Sequence, residues 1–304
     1  MTELAIVIPA YKGKFFRKTL ESIASQTCKD FVLYIGDDNS PYDLEAIVDD
    51  FRTEINIVYR KFEENIGRKD LTASWDRCVK MSSEPYVYFF SDDDMMPDDA
   101  VSRIYDMIRK YPDHDIFRFH LKFIDDSGKI FKSNPPLPDG VSTAEQVLCD
   151  KLGCRTSSTA CEYVFTRKVY DRTGGFVSLP LAWGSDDATW YKFGLDTGIV
   201  NIPGAAAMWR DGGGENISTN TTMNREKFEG TILFMHWLKE NYRYPESRMF
   251  RKDLKRYLKN IIRSTVQMDY TRDALWRLCK AVSGMWPYLS VYLLFKFYLK
   301  GKAE

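Results

Sequence analysis

The sequence predicts an α/β protein with a Rossmann-like, mostly parallel sheet flanked by helices, a mixed second set of strands and a helical C-terminal end. Three observations carry this. In the first third of the chain, short apolar runs rich in β-branched and aromatic residues alternate with stretches whose apolar residues recur at helical spacing, the pattern of repeated β-α-β units. Two acidic clusters, Asp37-Asp38 and Asp92-Asp93-Asp94, each follow directly on a strand-like run. The 304 residues are 44% hydrophobic and 14% aromatic, enough to fill a large core.

Leu4 to Ile8 reads as a buried strand stopped by Pro9, and Phe16, Leu20 and Ile23 mark the helix after it. Phe31 to Ile35 is a second strand, running into Gly36-Asp37-Asp38-Asn39-Ser40. Leu44, Ile47, Val48 and Phe51 give a helix face, Ile55 to Tyr59 a third strand, and Leu71, Trp75, Cys78 and Val79 the next helix. Tyr86 to Phe90 is the fourth strand, ending at Ser91 and three aspartates. Beyond the helix of Val101, Ile104 and Ile108 the pattern changes. Phe117, Phe119, Leu121 and Phe123 alternate with Arg118, His120 and Lys122, which reads as a half-buried strand, and Asp126-Ser127-Gly128 as the turn of a hairpin. Ser133 to Gly140, with three prolines, reads as a surface loop. From about Thr222 the chain is helical and basic. Trp286 to Leu299 is apolar on nearly every face, which suits a docked tail helix, or a membrane-surface element with Lys296, Lys300 and Lys302 flanking its aromatics.

Composition removes several function classes. Lys plus Arg and Asp plus Glu both number 43, so the basic excess of a dedicated nucleic-acid binder is missing. The six cysteines are scattered without C-x-x-C spacing, and no histidine neighbours Cys149, Cys154 or Cys161; reduced thiols are expected rather than a zinc site. Three histidines leave little room for a His-based triad. The apolar stretch at Leu4 to Ile8 is too short for a signal peptide, and no run of membrane-spanning length occurs, so a cytoplasmic location is expected.

The turn after the first strand, Pro9-Ala10-Tyr11-Lys12-Gly13-Lys14, has neither the glycines of a dinucleotide cradle nor a P-loop. Tyr11 offers an aromatic face to a nucleobase, or simply packs at the strand end. Three carboxylates in a row repel one another unless a positive charge sits among them. Mg²⁺ or Mn²⁺ answers this, taking oxygen ligands and sharing them with substrate phosphates. The competing reading is a solvated acidic turn that caps the next helix, since Pro97, Asp98 and Asp99 follow. Both acidic clusters fall at strand carboxyl ends, where parallel sheets bind ligands.

Taken together the motifs resemble family 2 glycosyltransferases, inverting nucleotide-sugar enzymes of the A-type glycosyltransferase fold. The resemblance is carried in order by Ile6-Val7-Ile8-Pro9-Ala10-Tyr11, Leu20-Glu21-Ser22-Ile23-Ala24-Ser25-Gln26-Thr27 and Asp37-Asp38-Asn39-Ser40. It continues through Asn65-Ile66-Gly67, Phe90-Ser91-Asp92-Asp93-Asp94, Gly174-Gly175-Phe176 and Asp186-Asp187. It implies that Pro9 and Tyr11 line the nucleobase pocket and that Asp38 accepts a hydrogen bond from the base, which fits uracil, thymine or guanine better than cytosine or adenine; a UDP-sugar is the favoured donor. Asn65, Gly67 and Arg68 would contact the donor. Asp93 would bind Mn²⁺ or Mg²⁺, with Asp92 and Asp94 toward the sugar, ribose or outer shell. Ser91 stands where the family usually has its first acidic residue, a departure many members share. The base that activates the acceptor hydroxyl would be Asp187, placed three residues before Trp190, with Asp186 the alternative. Arg210 matches the family's late Arg…Ser segment, where members often carry a metal-binding histidine. None is present, which leaves Glu215 or Asn216, or water and phosphate, to complete the metal shell. Gly212, Gly213 and Gly214 suggest a flap over the donor.

The implied organisation is a catalytic domain over 1–220, with a nucleotide-sugar-binding half (1–114) and an acceptor-side half (115–220), followed by a helical extension over 221–304. The implied activity is metal-dependent transfer to a hydroxyl of a glycan or lipid-linked glycan in polysaccharide biosynthesis, at the inner face of the membrane if the tail helix binds it. A non-catalytic nucleotide-sugar-binding or scaffolding homologue is the competing class. A nucleotidyltransferase would want the glycine-rich phosphate loop that is missing.

Overall fold

The computed structural model describes residues 2–212, 216–266 and 272–299. Gly213, Gly214, Glu215, Lys300 and Lys302 therefore lie outside the described residues. The first half is built from β1 (Leu4–Ala10), α1 (Phe16–Ala24), β2 (Val32–Asp37), α2 (Leu44–Asp49), β3 (Ile57–Lys61), α3 (Leu71–Val79), β4 (Tyr86–Phe89) and α4 (Ala100–Lys110). There follow β5 (Ile116–Ile124), β6 (Ile130–Ser133), β7 (Val141–Ser142), α5 (Ala144–Leu152), β8 (Tyr163–Thr166), α6 (Arg167–Thr173), α7 (Ser185–Phe193) and β9 (Ile199–Arg210). The C-terminal helices are α8 (Asn224–Asn241), α9 (Arg248–Val266), α10 (Arg272–Ser283) and α11 (Pro287–Leu293), which continues as a π-helical turn over Leu294–Leu299.

Among the described residues the strands form one nine-stranded sheet in the order β3-β2-β1-β4-β8-β5-β9-β7, with β6 added beside β5. β3, β2, β1 and β4 are mutually parallel, as the β-α-β pattern requires. β8 inserts antiparallel between β4 and β5, making the sheet mixed from that point on. Successive β1 residues face opposite sides, so Leu4, Ile6 and Ile8 pack with α1, α2 and α4 while Ala5 and Val7 pack with α3, α6 and α7. α8 to α11 share a third apolar core with α5 and α7.

β2 and β3 run two residues further than the sequence reading, to Asp37 and Lys61, and β1 and β5 differ from it in kind. β1 does not stop at Pro9 but runs through it, pairing Pro9 with Gly36 and Ala10 with Asp37. The last β4 partner of β1 is Phe89, opposite Val7. The nitrogen of Pro9 faces that same side, beyond the end of β4, so its missing N–H removes no ladder bond. β5 is almost wholly buried rather than half-buried, because β8 and β9 flank it and helices cover it. Its Arg118 is accommodated by donating from Nε to Asn201 Oδ1 at 2.8 Å.

Candidate active site

β1 and β4 are neighbours, so their carboxyl ends bring the first motif and the acidic triplet together. Asp92 Oδ2 accepts the backbone N–H groups of Tyr11 and Lys12, each at 2.7 Å, which pins the exit of β1 to that of β4. Asp93 Oδ2 lies 2.6 Å from Lys12 Nζ, and the same ammonium donates to Asn216 Oδ1 at 2.8 Å. Asp94 Oδ1 accepts the Arg210 N–H at 2.8 Å, at the end of β9. Its Oδ2 is buried without a donor in good hydrogen-bonding geometry. The fully buried Arg210 donates from Nε to the Asp93 carbonyl and from Nη1 to the Asp125 carbonyl, while Asn216 Nδ2 donates to the Arg210 carbonyl. Residues more than a hundred positions apart thus close over the triplet.

Electrostatically the cluster is under tension. Burial, and then the charge of Asp93, push the Asp94 carboxyl up to about 7. The same two causes push Asp92 up to about 6 against the pull of Lys12 and two backbone N–H groups. Burial works against the Lys12 ammonium, but Asp93, Asp92 and Asp94 outweigh it and hold its pKa above the ordinary value. A site that gathers carboxylates at such cost is a functional candidate.

Asp38 is also buried, and its role in the fold is to shape the segment after β3. Its Oδ1 accepts the Ile66 N–H at 3.1 Å and its Oδ2 the Gly67 N–H at 2.8 Å, with Arg77 paired to Oδ1 as well. Position 67 must be glycine here, since a Cβ would stand 2.5 Å from Asp38 Oδ2. Asn65 closes the turn by accepting the Arg68 N–H at 2.9 Å. Pro9 is half-buried, whereas Tyr11 and Arg68 are exposed. Tyr11, Asp38 and the Asn65–Arg68 turn therefore border the carboxyl ends of β1, β2 and β3.

The second acidic pair sits in the first turn of α7. The Gly-Gly-Phe motif leads into it: Gly174 and Gly175 both have φ of +79°, and a Cβ on Gly175 would meet Asp76 Oδ1 at 2.7 Å. Asp186 Oδ1 accepts the Asp187 N–H at 2.9 Å, while Asp187 Oδ1 lies 3.5 Å from Lys151 Nζ. Burial raises both carboxyls, Asp187 to about 7, with Lys151 opposing the rise. Asp187 lines a small gap with Lys151, Ser158, Tyr163 and Trp190. The larger cavity of about 600 Å³, between α1 and the β5–β6 turn, touches Arg210 but none of the residues singled out as donor ligands or bases.

Sequence reading missed Lys12, Arg77 and Lys151 as members of these sites. Lys12 carried a signal, standing next to Tyr11 at a strand exit. Lys151 carried none, because α5 meets α7 only through the tertiary fold.

The donor atoms suit a divalent cation shared with substrate. Among the described residues no three His, Cys, Asp or Glu side chains converge into a cage. Mg²⁺ and Mn²⁺ sites of the phosphate-binding kind need only one or two carboxylates, phosphates and water completing the shell. Asp93 and Asp94 offer hard oxygen ligands of that type.

The sheet, its two helical layers and the carboxylates at its strand ends define the A-type glycosyltransferase fold. The model of the family described as Glycosyl transferase family 2 matches residues 5–172, more than half of the chain, and the protein belongs to that family. It is 27% identical over 137 residues to an uncharacterised glycosyltransferase of Methanocaldococcus jannaschii, a match covering 44% of this chain and 46% of the relative. This chain thus matches about half the length of that curated relative. Among solved structures, S. aureus TarS residues 1–349 in complex with UDP-GlcNAc gives a TM-score of 0.74 at 15% identity, over 94% of this chain and 82% of that one. A mannosyltransferase from Pyrobaculum calidifontis in complex with GDP-Man and Mn²⁺ gives 0.53 at 12% identity, over 96% and 85%. At these identities the structural likeness speaks for the fold.

Proposed function

We propose that this glycosyltransferase is metal-dependent and inverting, moving a sugar from a nucleoside diphosphate donor, UDP favoured, to a hydroxyl of a glycan or lipid-linked glycan in polysaccharide biosynthesis. The observation that carries the proposal is the convergence of Tyr11, Asp92, Asp93 and Asp94 at the joined exits of β1 and β4, with Arg210 and Asn216 folded over them. The UDP-GlcNAc and GDP-Man complexes of the two structural neighbours support a nucleotide-sugar donor in this cleft.

In this reading Tyr11 and Pro9 flank the base, and Asp38 uses the remaining lone pair of Oδ2 to accept a base N–H. Asn65, Gly67 and Arg68 hold the donor, with Asp92 and Asp94 bordering its sugar and ribose. Asp93 holds Mn²⁺ or Mg²⁺ with Asp94 behind it; when bound, the ion supplies charge for the departing diphosphate. Asp187 takes the proton from the acceptor hydroxyl, and the charge of Lys151 favours its ionised form against burial. A thermal-shift panel of UDP, GDP, CDP, dTDP and ADP, each with Mn²⁺, Mg²⁺ or chelator, tests the donor site. One nucleotide is expected to stabilise the fold by about 2.7 kcal/mol at roughly 100 times its dissociation constant, and only with metal. No shift with any nucleotide would remove the donor reading.

We propose further that the enzyme works peripherally at the inner face of the membrane. No helix among the described residues is long and apolar enough to cross a membrane. Yet Tyr288, Val291 and Phe295 are 83%, 64% and 60% exposed at i, i+3 and i+7 along the last helix. Beside them Lys255 Nζ lies 4.2 Å from the centre of the Tyr292 ring, and Lys296 Nζ 3.1 Å from its hydroxyl. An apolar stripe rimmed by lysines suits an anionic bilayer surface. Co-sedimentation with phosphatidylglycerol vesicles is expected for the native chain and lost in a Tyr288→Ser, Val291→Ser double variant. Equal sedimentation of the two would end the idea.

A further inference from the structure

Lys12 does two separate jobs at the exit of β1. Its backbone N–H, with that of Tyr11, is fixed to Asp92, so the main chain here has little freedom. Among the described residues its side chain is anchored at the tip, between Asp93 Oδ2 and Asn216 Oδ1, and is 30% exposed. The ammonium therefore occupies the position beside Asp93 that the proposed function gives to a divalent ion. Two cations at one carboxylate repel each other and compete for its lone pairs. The divalent charge favours release of the ammonium. A lysine on a flexible four-carbon stem, with its backbone already held, yields at small cost.

The charge balance says where the ammonium goes. The triplet is acidic, a nucleoside diphosphate adds further negative charge, and Arg210 is committed to the Asp93 and Asp125 carbonyls and packed 4.5 Å from the centre of the Phe15 ring. Lys12 is the cation at this strand exit whose ion pair a metal ion would replace. We propose that Lys12 exchanges partners on donor binding: held by Asp93 and Asn216 in the donor-free enzyme, it is displaced by the arriving divalent ion and pairs with the donor's diphosphate. This inference rests on the donor reading above and adds a residue that reading did not contain. In the free enzyme Lys12 screens the triplet's repulsion; in the complex it binds phosphate.

The exchange predicts two changes of opposite sign in one variant. By calorimetry, Lys12→Met is expected to bind Mn²⁺ alone about tenfold more tightly than the native chain, because its competitor is gone. At saturating Mn²⁺, where that competition no longer counts, the variant is expected to bind its preferred nucleotide among UDP, GDP, CDP, dTDP and ADP about tenfold more weakly. Lys12→Gln, which keeps an uncharged hydrogen bond for Asn216, gives the same pair of shifts and stands in if Lys12→Met does not fold. A purely structural lysine would weaken both affinities, and a mere counter-ion would change only the first. Either result overturns the exchange. Native protein that binds Mn²⁺ but no nucleotide would instead overturn the donor reading, and the exchange with it.

Discussion

Asp93→Ala is expected to lose metal-dependent donor binding and to slow sugar transfer by about a thousandfold or more, the scale seen when a main stabiliser of transition-state charge is removed. Asp92 is tied to the Tyr11 and Lys12 N–H groups, and Asp94 Oδ1 to the N–H of Arg210. Among the described residues Asp93 has no such backbone commitment; its side-chain partner is the Lys12 ammonium. It is thus the carboxylate able to turn toward an incoming ion without loosening the β1–β4 junction. The fold should survive, because the bonds that join the two strand exits run through Asp92. Calorimetric titration of the nucleotide with and without Mn²⁺, beside product formation, measures the effect. Native affinity in Mn²⁺ would remove Asp93 from the metal role.

Asp187→Asn is expected to bind donor within about threefold of the native chain yet turn over about 10²- to 10⁴-fold more slowly, the usual contribution of a positioned general base. The asparagine keeps the shape and the place in the first turn of α7 but cannot accept the proton. The pH profile adds an independent reading. Burial pushes the Asp187 carboxyl up to about 7, and Lys151 holds it from rising further. A base must be deprotonated to act, so kcat/KM should climb with pH and level off above about 7. Lys151→Met removes the stabilising charge and should move that rise to higher pH, an outcome that a merely structural Lys151 would not produce. If Asp186→Asn is the slow variant and Asp187→Asn is not, the roles within the pair are exchanged.

The two halves of the site were legible in the sequence to different degrees. The acidic clusters at the exits of β2 and β4 were readable because their parts are local: each follows its own strand, and parallel β-α-β winding puts all such ends on one edge of the sheet. The acidic pair on α7 was less so. Asp186 and Asp187 were singled out by resemblance, while Lys151, which opposes the rise of the Asp187 carboxyl, lies on a helix whose sequence gives no hint of it. β5 shows the same difficulty in the fold. Its alternation of Phe117, Phe119 and Leu121 with Arg118 and His120 is that of a strand with one wet face, yet its neighbours bury both.

The sequence by itself determined the parallel sheet, the placing of Asp37-Asp38 and Asp92-Asp93-Asp94 at its carboxyl edge, and the family. The sheet and the placing of the clusters follow from periodicity and from residues adjacent in the chain, the family from the resemblance of its ordered motifs. Only the tertiary structure decided that β8 enters antiparallel between β4 and β5 and that Arg210 and Asn216 close over the triplet. It alone showed that Lys12 stands at Asp93 and Lys151 at Asp187. The physical reason is separation. Lys12 and Asn216 are 204 positions apart, and a contact of that kind exists only once the sheet has fixed where each strand ends.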